Sequence, residues 1–158
     1  MSNTNQQPKD FIKSLQIIHF ALLMGAIVFA AYVSIQLNEQ LTFSYSNDKA
    51  FLYIAITISF VGNLMSKSLF IKLIKKIPED ADLLQKASKY STAHIFRVAM
   101  LEFPALMCII FVMQSNNSFY FILVGVLLLM MLAIFPSKSK FTNEVSLTTK
   151  EKSILEKL

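Results

Sequence analysis

The stretch His94-Ile-Phe-Arg-Val-Ala-Met-Leu-Glu102-Phe-Pro104-Ala-Leu-Met107 decides the reading of this chain. It is apolar enough to form the first half of a membrane-crossing helix, yet it carries one acid, Glu102, with a proline two residues later. If the helix enters near Thr92, Glu102 lies about 15 Å deep at a rise of 1.5 Å per residue. That is close to the midplane of a hydrocarbon layer about 30 Å thick. A carboxylate at that depth must be protonated, paired or solvated, which makes Glu102 the first functional candidate.

Working outward, three more apolar blocks appear. The spans are expected at about 15–37, 50–71, 92–113 and 119–135, the last one stopped by Pro136 and near the short limit of about 17 residues. The 158 residues are 54% apolar and 16% charged, against roughly 45–50% and about 25% in soluble domains. The first block is longer than the apolar core of a signal peptide, about 7–15 residues, and Ala30-Ala31-Tyr32 makes a poor cleavage site. It therefore reads as a retained span.

Loop lysine and arginine set the orientation. Two lie before the first span, one in the 38–49 loop, seven between 66 and 97, none in the 114–118 turn and five in the tail. Four spans with both termini in the cytoplasm satisfy this alternation everywhere. Residues 1–10 read as a polar tail. Ile77-Pro78 ends the second helix, and Pro78-Glu79-Asp80 suits the start of the next one. That helix runs through Tyr90 into the third span, so 72–91 is expected to be a cytoplasmic helical loop. In the tail, 136–158, Thr148 or Thr149 can cap a short helix, Lys150 to Leu158. Its edge of Ile154, Leu155 and Leu158 would lie on the membrane, meet a partner or fray.

Glu102 has two chemical readings. A proline at 104 kinks the helix and frees the carbonyl of Met100, which side chains or water can satisfy in a polar notch. There Glu102 can be a neutral acid bonding across helices, or a proton or cation site. Ranked by depth, Asn63 and then His19 are its candidate partners. His94, Arg97, Lys67, Lys72, Lys75 and Lys76 read as interfacial charge, with lysine stems buried and ammonium groups snorkelling outward. The lysines could attract anionic lipid, but solvated topogenic charge is the better explanation. Two histidines and one glutamate on separate spans do not make a metal set. The single cysteine, Cys108, excludes an intrachain disulfide and reads as packing. Gly25-Ala26 and Ala30-Ala31 allow close helix approach. No phosphate-binding loop, zinc motif or nucleophile elbow is present, so neither enzymatic activity nor a cofactor is expected.

Two resemblances follow. With Leu101-Glu102-Phe103-Pro104-Ala105-Leu106 in its third helix, the chain resembles small four-span bacterial inner-membrane proteins of uncharacterised activity. Residues 50–113 are similar to the hairpin of rotor-ring proteolipids (c subunits): a helix, a turn containing Pro78-Glu79, and a helix with mid-membrane Glu102. That resemblance implies a carboxyl group carrying the translocated ion. It departs from the family in having only Gly62 in the preceding helix, a longer turn, and a proline beside the carboxylate position.

The expectation is an all-α integral membrane four-helix bundle, one domain over residues 1–158, in a bacterial inner membrane. It would serve as a structural or accessory subunit, or alternatively as a proton- or cation-coupled transport component using Glu102. Its partners would be the lipid bilayer, a protein at the cytoplasmic face or further copies of itself, and not nucleic acid.

Overall fold

The structure, a computed structural model, describes residues 8–44 and 49–156. It contains α1 (Pro8–Gln36), α2 (Lys49–Ile74), α3 (Leu83–Ser115), α4 (Tyr120–Ala133), α5 (Lys138–Glu144) and α6 (Thr149–Glu156). No strand is present among the described residues, only one parallel bridge between Thr42 and Asn117. Helices α1, α2 and α3 are each long and apolar enough to cross a membrane, and α4 with the bent α5 is a fourth candidate. At 14 residues, α4 is about 21 Å long, shorter than the span expected from its sequence. The chain is thus built as a multi-pass membrane protein, and its outward face agrees: Ile17, Ile35, Phe60 and Phe103 are more than 60% exposed.

Helix α3 is the hub, packing against α2, α4 and α1. Against α2 it runs antiparallel. Phe51 stacks on Phe111, Ser59 meets Cys108, Ser66 donates to the carbonyl of Arg97, and Phe70 meets Tyr90. Against α1 it runs parallel: His19 meets His94 near one end, and Thr42 meets Asn117 at the other. The buried apolar residues form three clusters along this axis. Val33, Phe111 and Tyr120 mark the first, Leu23, Leu101 and Met131 the second, and Phe11, Tyr90 and Phe141 the third, at the lysine-rich end.

The helix boundaries have local causes. Asp82 caps α3 by accepting from Gln85 N at 2.7 Å, so α3 begins at Leu83 and Pro78–Asp80 lies in the preceding turn. This corrects the start expected at Pro78, because an N-cap side chain that reaches the third residue outweighs a proline that merely tolerates a first turn. The loop expected at 72–91 is correspondingly short, its two ends belonging to α2 and α3. Asn116, with φ 52°, ends α3 in the left-handed conformation, which asparagine tolerates better than most residues. Asn117 then ties the turn to the 38–44 loop, donating to Ser44 O at 2.6 Å and accepting from Phe119 N.

At the far end of α4 the chain turns by 79° into α5. Lys140 Nζ donates to the Ala133 and Phe135 carbonyls, filling acceptors that a helix end leaves open. Gln16 of α1 donates to Pro136 O. Helix α1 already includes Pro8–Asp10, which the sequence placed in a polar tail.

The C-terminal edge is also corrected. Helix α6 is capped by Thr148, whose hydroxyl accepts from Glu151 N while Glu151 accepts from Thr148 N, a reciprocal capping box. Leu155 is buried in the protein's own third cluster, so it faces neither lipid nor an outside partner. Ile154 stays exposed, and Leu158 lies outside the described residues.

Candidate functional site

Pro104 and Gly62 define the middle of the molecule. A Cβ on Gly62 would stand 2.7 Å from Met100 O and 2.7 Å from Pro104 Cγ. Met100 O is the carbonyl that Pro104 deprives of its helical partner. Gly62 therefore closes the notch expected there, with α2 backbone against the freed oxygen, and a Cα–H can approach where a side chain could not. Gly25, by contrast, faces open space, so the close approach belongs to α2 and not to α1.

Glu102 sits at this level, half-buried beside exposed Phe103. No hydrogen bond or ion pair joins it to any described residue. Asn63 follows Gly62 on α2 and is also half-buried, but it makes no bond to Glu102. His19 is elsewhere altogether, against His94, which is eight residues from Glu102 and so about 12 Å along the helix axis.

His19 and His94 form a pair that sequence separation hid. Nδ1 of His19 lies 3.0 Å from Nε2 of His94, and each residue is 1% exposed. Such a bond needs one ring to present N–H and the other its lone pair. Tyr90 stacks on His94 and Phe135 meets His19 edge-on, so aromatic rings wall the pair. The outward nitrogens, His19 Nε2 and His94 Nδ1, are buried without a hydrogen bond among the described residues, although the Met131 backbone lies close enough to influence the His19 ring. The expectation that His94 is interfacial charge is thereby corrected: parallel packing of α1 and α3 turns it inward. The clue was its depth, since His19 and His94 each lie only a few residues inside the start of their spans.

On either side of the pair, three residues of α3 hold the tail. Tyr90 donates its hydroxyl to Glu144 Oε2 at 2.8 Å. Arg97 lies over the Phe70 ring at 4.4 Å and reaches Glu144 Oε1 at 3.5 Å, so its position is fixed by its own chain. Lys86, 1% exposed, donates to both oxygens of Glu151 at 3.1 and 3.0 Å. Burial pushes the Glu151 carboxyl upward, but hydrogen bonds from Thr148 and Lys86 outweigh it and hold it below its ordinary value. Neither acid was singled out from the sequence, because nothing in the tail's composition marks them. Among the described residues no group of three or more His, Cys, Asp or Glu could hold a metal.

Comparison of the chain with known protein families, curated proteins and solved structures finds no match.

Proposed function

We propose that this chain is a non-enzymatic structural or accessory subunit of a bacterial inner membrane, a four-helix bundle with both termini in the cytoplasm. The lysine-rich end, where α5 and α6 fold against α3, is then the cytoplasmic one. One observation carries the proposal: Glu102 is half-open midway along an apolar helix long enough to cross a membrane, and it has no partner among the described residues. Other buried polar side chains of α3, including Lys86 and His94, find partners inside the molecule. A polar group facing hydrocarbon is costly, and a bond to a helix of another subunit is the usual relief. The exposed ring of Phe103 beside it supplies apolar contact area for the same neighbour.

A photo-crosslinking residue at position 103, activated in native membranes, tests this. The expected result is a discrete protein adduct that survives Glu102→Gln, which keeps the hydrogen bond, and is lost in Glu102→Leu. Adducts to lipid alone would overturn it. The same half-open carboxyl, without a partner among the described residues, also favours a second reading, proton or cation transport, since an exchanging site needs an exposed face. Under that reading Glu102→Gln would abolish ion flux in reconstituted vesicles.

A further inference from the structure

The last two turns of α2 form the wall of a groove of about 500 Å³ at the lysine-rich end. Its lining follows one helical stripe, Lys67, Phe70, Ile71, Ile74 and Lys75, faced by Arg97 of α3 and Glu144 of α5. The floor is apolar and the rim is cationic. Three cations face one carboxylate, and that carboxylate is already engaged by Tyr90 at 2.8 Å.

Arg97 is fixed but not exhausted. Phe70 holds it from one side, and its contact with Glu144, at 3.5 Å, is long. A guanidinium has five N–H donors in a planar fork suited to phosphate, and most of them remain available. Lys67 and Lys75 are exposed and take part in neither ion pair found among the described residues. Lys75 stands at the end of a membrane-crossing helix, the level at which lipid phosphates lie, and Lys67, about 12 Å further along the helix, can extend its side chain toward that level. A free phosphate would use the cations and leave the apolar floor bare, whereas a lipid uses both.

We infer that this groove holds an anionic phospholipid, its phosphate among Lys67, Lys75 and Arg97 and an acyl chain along Phe70, Ile71 and Ile74. The seat binds a specific lipid and is distinct from general attraction to the membrane surface, because Lys72 and Lys76 carry equal charge on the same helix end yet lie outside the groove. The inference stands independently of what meets Glu102.

Native mass spectrometry of the full chain, released from micelles containing phosphatidylglycerol or phosphatidylcholine, tests it. One phosphatidylglycerol should be retained in roughly tenfold preference over phosphatidylcholine, equivalent to about 1.4 kcal/mol. The double variant Lys67→Gln/Lys75→Gln should lose most of that preference. Lys72→Gln/Lys76→Gln should keep it. Equal retention of the two lipids by the unaltered chain would overturn the inference, and so would an equal loss in both double variants. Displacement of the lipid by inorganic phosphate at matched concentration would also overturn it, since the groove would then be a small-anion site.

Discussion

The two halves of α3 are held by opposite kinds of chemistry. From Leu83 to Val98 the helix is fastened by polar groups far apart in sequence: Lys86 to Glu151, Tyr90 and Arg97 to Glu144, and His94 to His19. From Leu101 to Ser115 it is held mainly by fit, with Gly62 against Pro104 and Phe51 stacked on Phe111 at 5.2 Å, and its polar contact with α2 there is weak, Ser59 with Cys108 at 3.9 Å. The polar half lies where the tail can fold back and supply acids. The apolar half lies where only neighbouring spans are within reach. Glu102 belongs to the second environment and carries the chemistry of the first, which is why its lack of a partner is informative.

The largest expected effect comes from cutting the strongest fastening. Glu151→Ala leaves Lys86 buried without its counter-charge, costs about 3 kcal/mol and removes half of the α6 capping box. Thermal unfolding in nanodiscs should show the loss, and protease should cut the tail sooner. Acid should do the same without mutation. The Glu151 carboxyl is held below its ordinary value of 4.5, so its stabilisation is present above that pH and is lost as pH falls through the lower, folded-state value. A tail that stays docked to Lys86 in strong acid would contradict this.

Gly62→Ala comes next and probes the other half. The added carbon must displace a backbone carbonyl and a proline ring, an overpacking cost of about 2 kcal/mol. The same change at Gly25, which faces open space, should be nearly neutral or slightly stabilising, since alanine favours the helix. Equal responses at the two sites would mean that α2 makes no close approach to α3 at Gly62. His19→Leu should cost roughly 1–2 kcal/mol by stranding His94, and adding His94→Leu should recover part of it. Simple additivity in that cycle would mean the pair contributes nothing as a pair. The smallest effect expected is at the α3 start, where Asp82→Ala removes one cap for about 1 kcal/mol.

The long helices were legible because hydropathy dominates everything else in such blocks. What the sequence hid has physical reasons. Helix α5, Lys138–Glu144, has no apolar periodicity to show; a helix of seven residues does not stand alone in water, and it persists because Phe141 is buried and Ser137 caps it. The burial of Leu155 and the role of Glu151 needed knowledge of where the tail turns back. Glu102 was visible from the start as an acid in an apolar run, and its distance from His19 was not, since depth alone does not say which faces of two helices meet. The proline-freed carbonyl was also legible, but its cover by Gly62 needed the α2–α3 register.

The most direct test is the carboxyl infrared signal of Glu102 in nanodiscs excised from native membranes, taken as the difference from Glu102→Gln. A Glu102 bonded to a neighbouring subunit should give a hydrogen-bonded carboxyl band that keeps its position across the neutral pH range and does not respond to exchange of sodium for potassium. A band that titrates in that range, or that moves with one cation, would contradict the subunit reading and make Glu102 an ion-exchanging site.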